Sequence, residues 1–175
     1  PRATSGEPYA IHCVGSMTIA HREYLPAIVA AIETVGIPVR WEPVGDDAKL
    51  PGIRIGRGGL SVDADRLRYA GDVLHEAGHL AVLSPDDRAA AIGTLAADGA
   101  EETAALAWSY AMARRFDLPL EVVFHDGFKA GGAWLRETFA AGHLLGQPML
   151  QYWGMTRLDP GDPERARRCL RALVG

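Results

Sequence analysis

The apolar positions along the chain follow two different periods, and the period assigns most of the elements. Leu25, Ile28, Val29 and Ile32 recur at three- and four-residue spacing, the stripe of a helix that buries one face. That helix is expected over 22–35, with Gly36 and Pro38 ending it. Val39-Arg40-Trp41-Glu42-Pro43-Val44 alternates apolar and polar residues, which predicts a short strand. Ile53-Arg54-Ile55 and Leu60-Ser61-Val62 lie on either side of Gly58-Gly59, a hairpin pattern with glycine supplying the turn. Gly56-Arg57-Gly58-Gly59 lacks the spacing of a phosphate-binding loop and reads as part of that turn. Val73, Leu74, Leu80, Ala81 and Val82 then give apolar flanks to a buried helix. Asp72, after Gly71, is its expected N-cap, and Ser84-Pro85 its stop, because proline disfavours helical geometry in the residue before it.

Beyond Pro85 every expected element is helical: 87–95, broken by Ala97-Asp98-Gly99; 100–115, stopping before Pro119; then 119–125, 133–141, 148–153 and 163–173. Three of the shorter ones open on proline, which a helix tolerates in its first turn. Residues 1–18 follow neither period and are expected to be partly irregular. No internal repeat or low-complexity linker divides the chain, so its 175 residues are expected to form one domain. The order of elements places it in the α+β class, with a small N-terminal sheet packed on a central helix and a mostly helical C-terminal half.

Composition narrows this picture only slightly. A hydrophobic content of 48%, a charged content of 23% and a net charge of −4 suit an ordinary globular chain. They provide no general nucleic-acid or membrane-binding surface. Arg165, Arg167, Arg168 and Arg171 crowd the last expected helix and read as a solvated face. Cys13 and Cys169 are too few for a disulfide framework and lack metal-motif spacing, so two free thiols are expected. No apolar run approaches the roughly 20 residues of a membrane span. The first residues do not form a signal peptide's apolar segment, and the expected location is cytoplasmic.

Candidate chemistry changes the picture most. Residues 75–79 read His-Glu-Ala-Gly-His, and such an H-E-x-x-H string is expected by chance on the order of once in a hundred chains of this composition. On a helix, positions i and i+4 lie one above the other, so His75 and His79 present two imidazoles from one face. These suit two corners of a tetrahedral zinc site, and Glu76 is placed to take a proton from a metal-bound water. Gly78 costs about 1 kcal/mol against alanine inside a helix, which points to close packing at that position. A catalytic zinc usually has a third protein ligand, and the candidates downstream are Glu101, Glu102, Asp98, His125 and His143. Asp98 and Glu101 have the spacing of a capping box, which gives Glu101 a structural task. Glu102 shares a face with Ala105, Leu106, Ser109 and Ala113, mostly small residues that allow a close approach. Glu102 is therefore favoured, with Glu101 as its alternative.

His75-Glu76-Ala77-Gly78-His79, followed by a glutamate 23 positions after His79, resembles the gluzincin pattern of zinc metallopeptidases. Glu102-Thr-Ala-Ala-Leu-Ala107 is similar to the Glu-x-x-x-Phe-Ala helix of the small ImmA/IrrE-like gluzincins. The resemblance spans roughly residues 50–115. It implies a zincin-like fold, zinc held by His75, His79 and Glu102, and Glu76 as general base. The chain departs from that group at Leu83-Ser84, where a further histidine often stands, and it has no evident helix-turn-helix module.

The chemistry expected of such a site is hydrolysis of a peptide or small amide. Tyr110, His125, His143, Tyr152 and Arg136 are possible oxyanion donors, though none has a spacing that singles it out. Trp108, Trp134, Tyr152 and Trp153 read as core rather than as a substrate platform. Phe124-His125-Asp126-Gly127 with Gly131-Gly132 reads as a helix connection rather than a lid. Glu76-x-x-His79 is also half of a di-iron motif, but no second Glu-x-x-His occurs, which argues against that chemistry. A mononuclear iron site and a non-catalytic metal-binding domain are the other readings, and the oligomeric state is left open.

Overall fold

A computed structural model describes residues 20–93, 99–129, 131–143, 145–153 and 155. The chain is α+β, as its order of elements predicts. The expected irregular segment 1–18, the expected helix 163–173, both cysteines, the arginine cluster and Asp98 lie outside the described residues.

Helix α1 (Leu25–Glu33) buries Leu25, Ile28, Val29 and Ile32, the stripe that predicted it, and a 3-10 turn at Arg22–Tyr24 leads into it. Strand β1 (Val39–Trp41) is shorter than its alternating pattern, because Pro43 has no amide to donate to a ladder. Strands β2 (Ile53–Gly56) and β3 (Gly59–Val62) form the expected hairpin, with Ile53 opposite Val62 and Gly56 opposite Gly59. Its two-residue turn places Arg57 at φ 52° and Gly58 at φ 68°, the left-handed pair of a type I′ turn. Strand β1 runs parallel to β3 on its other side, giving the order β1-β3-β2. The central strand β3 is buried throughout.

Helix α2 (Ala70–Ala81) packs against α1, β2 and β3, and most extensively against α4 (Gly99–Arg115). It starts three residues earlier than expected, with Tyr69 rather than Asp72 at the N-cap. A parallel bridge between Ala20 and Tyr69 lets the Ala70 amide donate to the Ala20 carbonyl at 3.2 Å, so no side-chain cap is needed there. At the other end, Arg88 donates to the carbonyls of Leu80 (2.9 Å), Leu83 (3.3 Å) and Ala81 (3.4 Å), adding donors where the helix's own amides run out.

Helix α3 (Pro85–Ala90) begins at Ser84, whose hydroxyl accepts from the Asp87 amide at 3.2 Å. It ends before the expected residue 95. Ala91 turns extended, and the Gly93 amide donates to Ile55 at 2.8 Å along the free edge of β2. Short helices α5 (Leu120–Val123), α6 (Gly132–Ala140) and α7 (Gln147–Tyr152) follow α4 close to their expected places. Of the four aromatics read as core, only Trp108 is buried. Trp134 and Tyr152 are exposed, and Trp153 is at the margin of exposure. Among the described residues, no helix is long and apolar enough to cross a membrane.

Candidate metal centre

The centre is built where α2 and α4 touch. Val73, Leu74, Ala77, Leu80 and Ala81 bury α2 on most sides, so its polar side chains are confined to the flank that faces α4 and the segment after α5. Gly78 makes the approach possible. A Cβ there would lie 2.9 Å from the Ala105 carbonyl oxygen, 3.2 Å from Ser109 Oγ and 3.3 Å from the Trp108 ring. Gly71 serves in the same way one face away, since a Cβ there would overlap the Val122 carbonyl of α5.

At this contact His75, His79 and Glu102 come together. His75 Nε2 lies 3.3 Å from Glu102 Oε1, and His79 Nε2 lies 3.5 Å from Glu102 Oε2. The two imidazole rings are 4.7 Å apart at 71°. Both histidines are buried, and the Glu102 side chain is one-quarter exposed. His75 Nε2 and Glu102 Oε1 have no hydrogen-bond partner, although both atoms are buried. Leaving such atoms unpaired costs about 1–3 kcal/mol each, and a cation between them would satisfy both. Glu76 also presents a ligand atom, so that those of His75, Glu76 and His79 lie within 4.8 Å of one another. Two imidazoles and a carboxylate converging on one point fit a divalent transition metal.

Electrostatics prepare the same set. Burial, and then the neighbouring His75, push the His79 pKa down to about 4, so its ring is neutral and able to donate an electron pair. The His75 imidazole holds the Glu102 carboxyl down to about 2; burial opposes this, and Lys129 adds to it. Burial raises the pKa of Glu76, with smaller opposing contributions from His75 and Lys129. A carboxylate shifted upward in this way is better matched to taking up and returning a proton near neutral pH.

The segment after α5 closes one side of the centre. His125 Nε2 lies 2.9 Å from Asp72 Oδ1, and the imidazole stacks on Tyr69 with centroids 3.7 Å apart. Asp72, expected to cap α2, holds this segment instead. Arg136 donates to the Phe124 carbonyl and to Asp126 (2.8 Å), so the glycine-containing stretch is a tied helix connection. Phe128 packs edge-on against His75 with centroids 4.9 Å apart, and Lys129 donates to Glu102 Oε2 at 2.9 Å.

Of the sequence candidates, then, His75, Glu76, His79 and Glu102 converge. The proposed donors do not join them directly. Tyr110 stacks on Phe139, Tyr152 and His143 are exposed, and His125 and Arg136 are engaged in the connection. Lys129, Phe128 and the Asp72–His125 pair were not legible as site residues, since nothing local marks a contact that spans 27 or 53 positions. A groove of about 430 Å³ lies against α1 and β1, lined by Leu25, Pro26, Val29 and Trp41 among others, and none of the converging residues borders it. In comparisons with protein-family models, with curated proteins and with solved structures, nothing matches the chain.

Proposed function

We propose that the chain is a zinc-dependent hydrolase, a metallopeptidase or amidase of gluzincin type on a zincin-like fold. His75, His79 and Glu102 hold the metal, and Glu76 is the general base. The observation that carries this reading is the convergence of His75 Nε2 and His79 Nε2 on the two oxygens of Glu102, with buried atoms left unpaired between them. The small sheet beside the H-E-x-x-H helix, with the third ligand on a second helix, supports the zincin-like assignment. Zinc in such a site supplies Lewis acidity and lowers the pKa of bound water from 15.7 toward about 7.

The chain's own residues supply the rest. Glu76 takes the proton of the attacking water and returns it to the leaving amine, a task suited to a carboxyl whose pKa burial has raised. His79 stays neutral and Glu102 anionic across the neutral range, so both are in the form that binds a metal. The Asp72–His125 pair fixes the connection that packs Phe128 against His75.

A second reading, a metal-binding module without turnover, is favoured by one observation. Glu76 offers a ligand atom within 4.8 Å of those of both histidines and could close the coordination shell itself. Glu76→Gln separates the two. In the hydrolase it leaves near-stoichiometric zinc by elemental analysis and lowers amide hydrolysis by about 100-fold or more. In the non-catalytic module it weakens zinc binding, and there is no hydrolysis to lose. Protein that contains no metal, and takes none up, would overturn both.

A further inference from the structure

The side of the centre that opens to solvent is positively charged, against the sign of the whole chain. Lys129 is half-exposed and gives one donor to Glu102 Oε2 at 2.9 Å. An ammonium has three donors, so two remain for a ligand entering beside Glu102. The placement is held on several sides. The connection carrying Lys129 is tied by His125 to Asp72 at 2.9 Å, by Arg136 to Asp126 at 2.8 Å, and by the Phe128 amide to the His125 carbonyl at 2.9 Å. Phe128, its neighbour in sequence, is buried against His75. Lys129 is thus fixed near the centre, unlike a free surface lysine.

A second cation acts from a different element. Lys49 is exposed on the segment before β2, and its charge, like that of Lys129, reaches both Glu76 and His79. The anions in reach are already committed, Asp72 to His125 and Glu102 to the histidines and Lys129. With a divalent ion balanced by Glu76 and Glu102, the two ammonium groups outnumber the one further carboxylate in reach, Asp72, and an excess of positive charge at an open site selects for an anionic ligand.

We propose that Lys129 is a specificity-determining residue that holds a substrate carboxylate beside the scissile amide, so that the preferred substrates are acidic peptides or amides. The assignment rests on the hydrolase reading and names the class of substrate for it. The carboxylate could come from a free peptide C-terminus or from an acidic side chain, and both would meet the same ammonium.

The test is calorimetric titration of the zinc-loaded chain with two chelating ligands, succinic monohydroxamic acid and its neutral carboxamide counterpart. Wild type should bind the carboxylate form about fivefold more tightly at low salt, a preference that shrinks as ionic strength rises. Lys129→Met should abolish the preference with zinc content unchanged, and Lys129→Arg should keep it. Equal affinities in wild type, or a preference that survives in Lys129→Met, would overturn the proposal while leaving the metal centre standing. Failure to bind zinc at all would instead remove the hydrolase reading on which it rests. Competition by an amidated peptide with an internal Asp, set against an alanine peptide with a free C-terminus, then identifies the source. Competition by neither would also overturn the proposal.

Discussion

Gly78→Ala is the sharpest test of how the centre is held together, because two effects of known sign oppose each other there. Alanine is the better helix former by about 1 kcal/mol, so on propensity alone the variant should be more stable. The new Cβ, however, would lie 2.9 Å from the Ala105 carbonyl oxygen, whereas ordinary contact begins at 3.4 Å. The atom it meets is backbone in the middle of α4 and cannot rotate away. The Ala105 carbonyl also accepts from Ser109 Oγ at 2.8 Å, which stiffens that turn further. Either the helices separate by about half an ångström or one of them bends. Overpacking of this kind costs about 1–3 kcal/mol, so after the propensity gain the net loss should be about 1 kcal/mol, lowering Tm by about 3 °C. The effect on metal should be larger in proportion. His75 and His79 lie on α2 and Glu102 on α4, and metal–ligand distances tolerate only about 0.2 Å. Zinc affinity, measured by competition with a chromophoric chelator, should fall at least about tenfold. A variant more stable by about 1 kcal/mol in chelator-treated urea titrations, with unchanged zinc affinity, would refute both the close approach of α2 to α4 and its role in the centre.

Two other perturbations bear on the same architecture. In chelator-treated protein, His79 has a folded pKa of about 4 against 6.5 for a free imidazole. The unfolded chain therefore binds more protons between these values, and stability should fall as pH drops from about 6.5 to about 4. The loss attributable to this residue is roughly 3 kcal/mol. It is read as the difference between wild-type and His79→Gln urea midpoints at each pH, and parallel curves would contradict it. Arg88→Met removes the donors that Leu80, Ala81 and Leu83 use at the end of α2 and should cost about 1–2 kcal/mol in the same assay. Early loss of amide-exchange protection in the last turn of α2 should accompany it, and full protection there would show that water serves equally well.

What was legible in the sequence, and what was not, divides along the range of the interactions. The face of α1, the glycine turn between β2 and β3, and the pairing of His75 with His79 depend on neighbours four residues away or fewer, and periodicity records such neighbours directly. Glu102 was reachable because its helix has its own local grammar, with Ala105 and Ser109 on the face that meets Gly78. The Asp72 expectation failed for the converse reason. Local rules make an aspartate after glycine a cap, but a backbone partner more than 50 positions away, Ala20, already serves the start of α2, so the carboxylate turns to His125. Helix α3 likewise ends early because Gly93 pairs with Ile55, a partner that no window over 87–95 contains. Lys129 follows the same logic. Only the folding of the α5–α6 connection onto α2 brings its charge to Glu102. The chemistry a local motif can announce is therefore the metal and the base, whereas the charge surrounding the opening is set by tertiary contacts. Substrate preference belongs to that second category, which is why an H-E-x-x-H string suggests a metal and a base and says nothing about what enters the site.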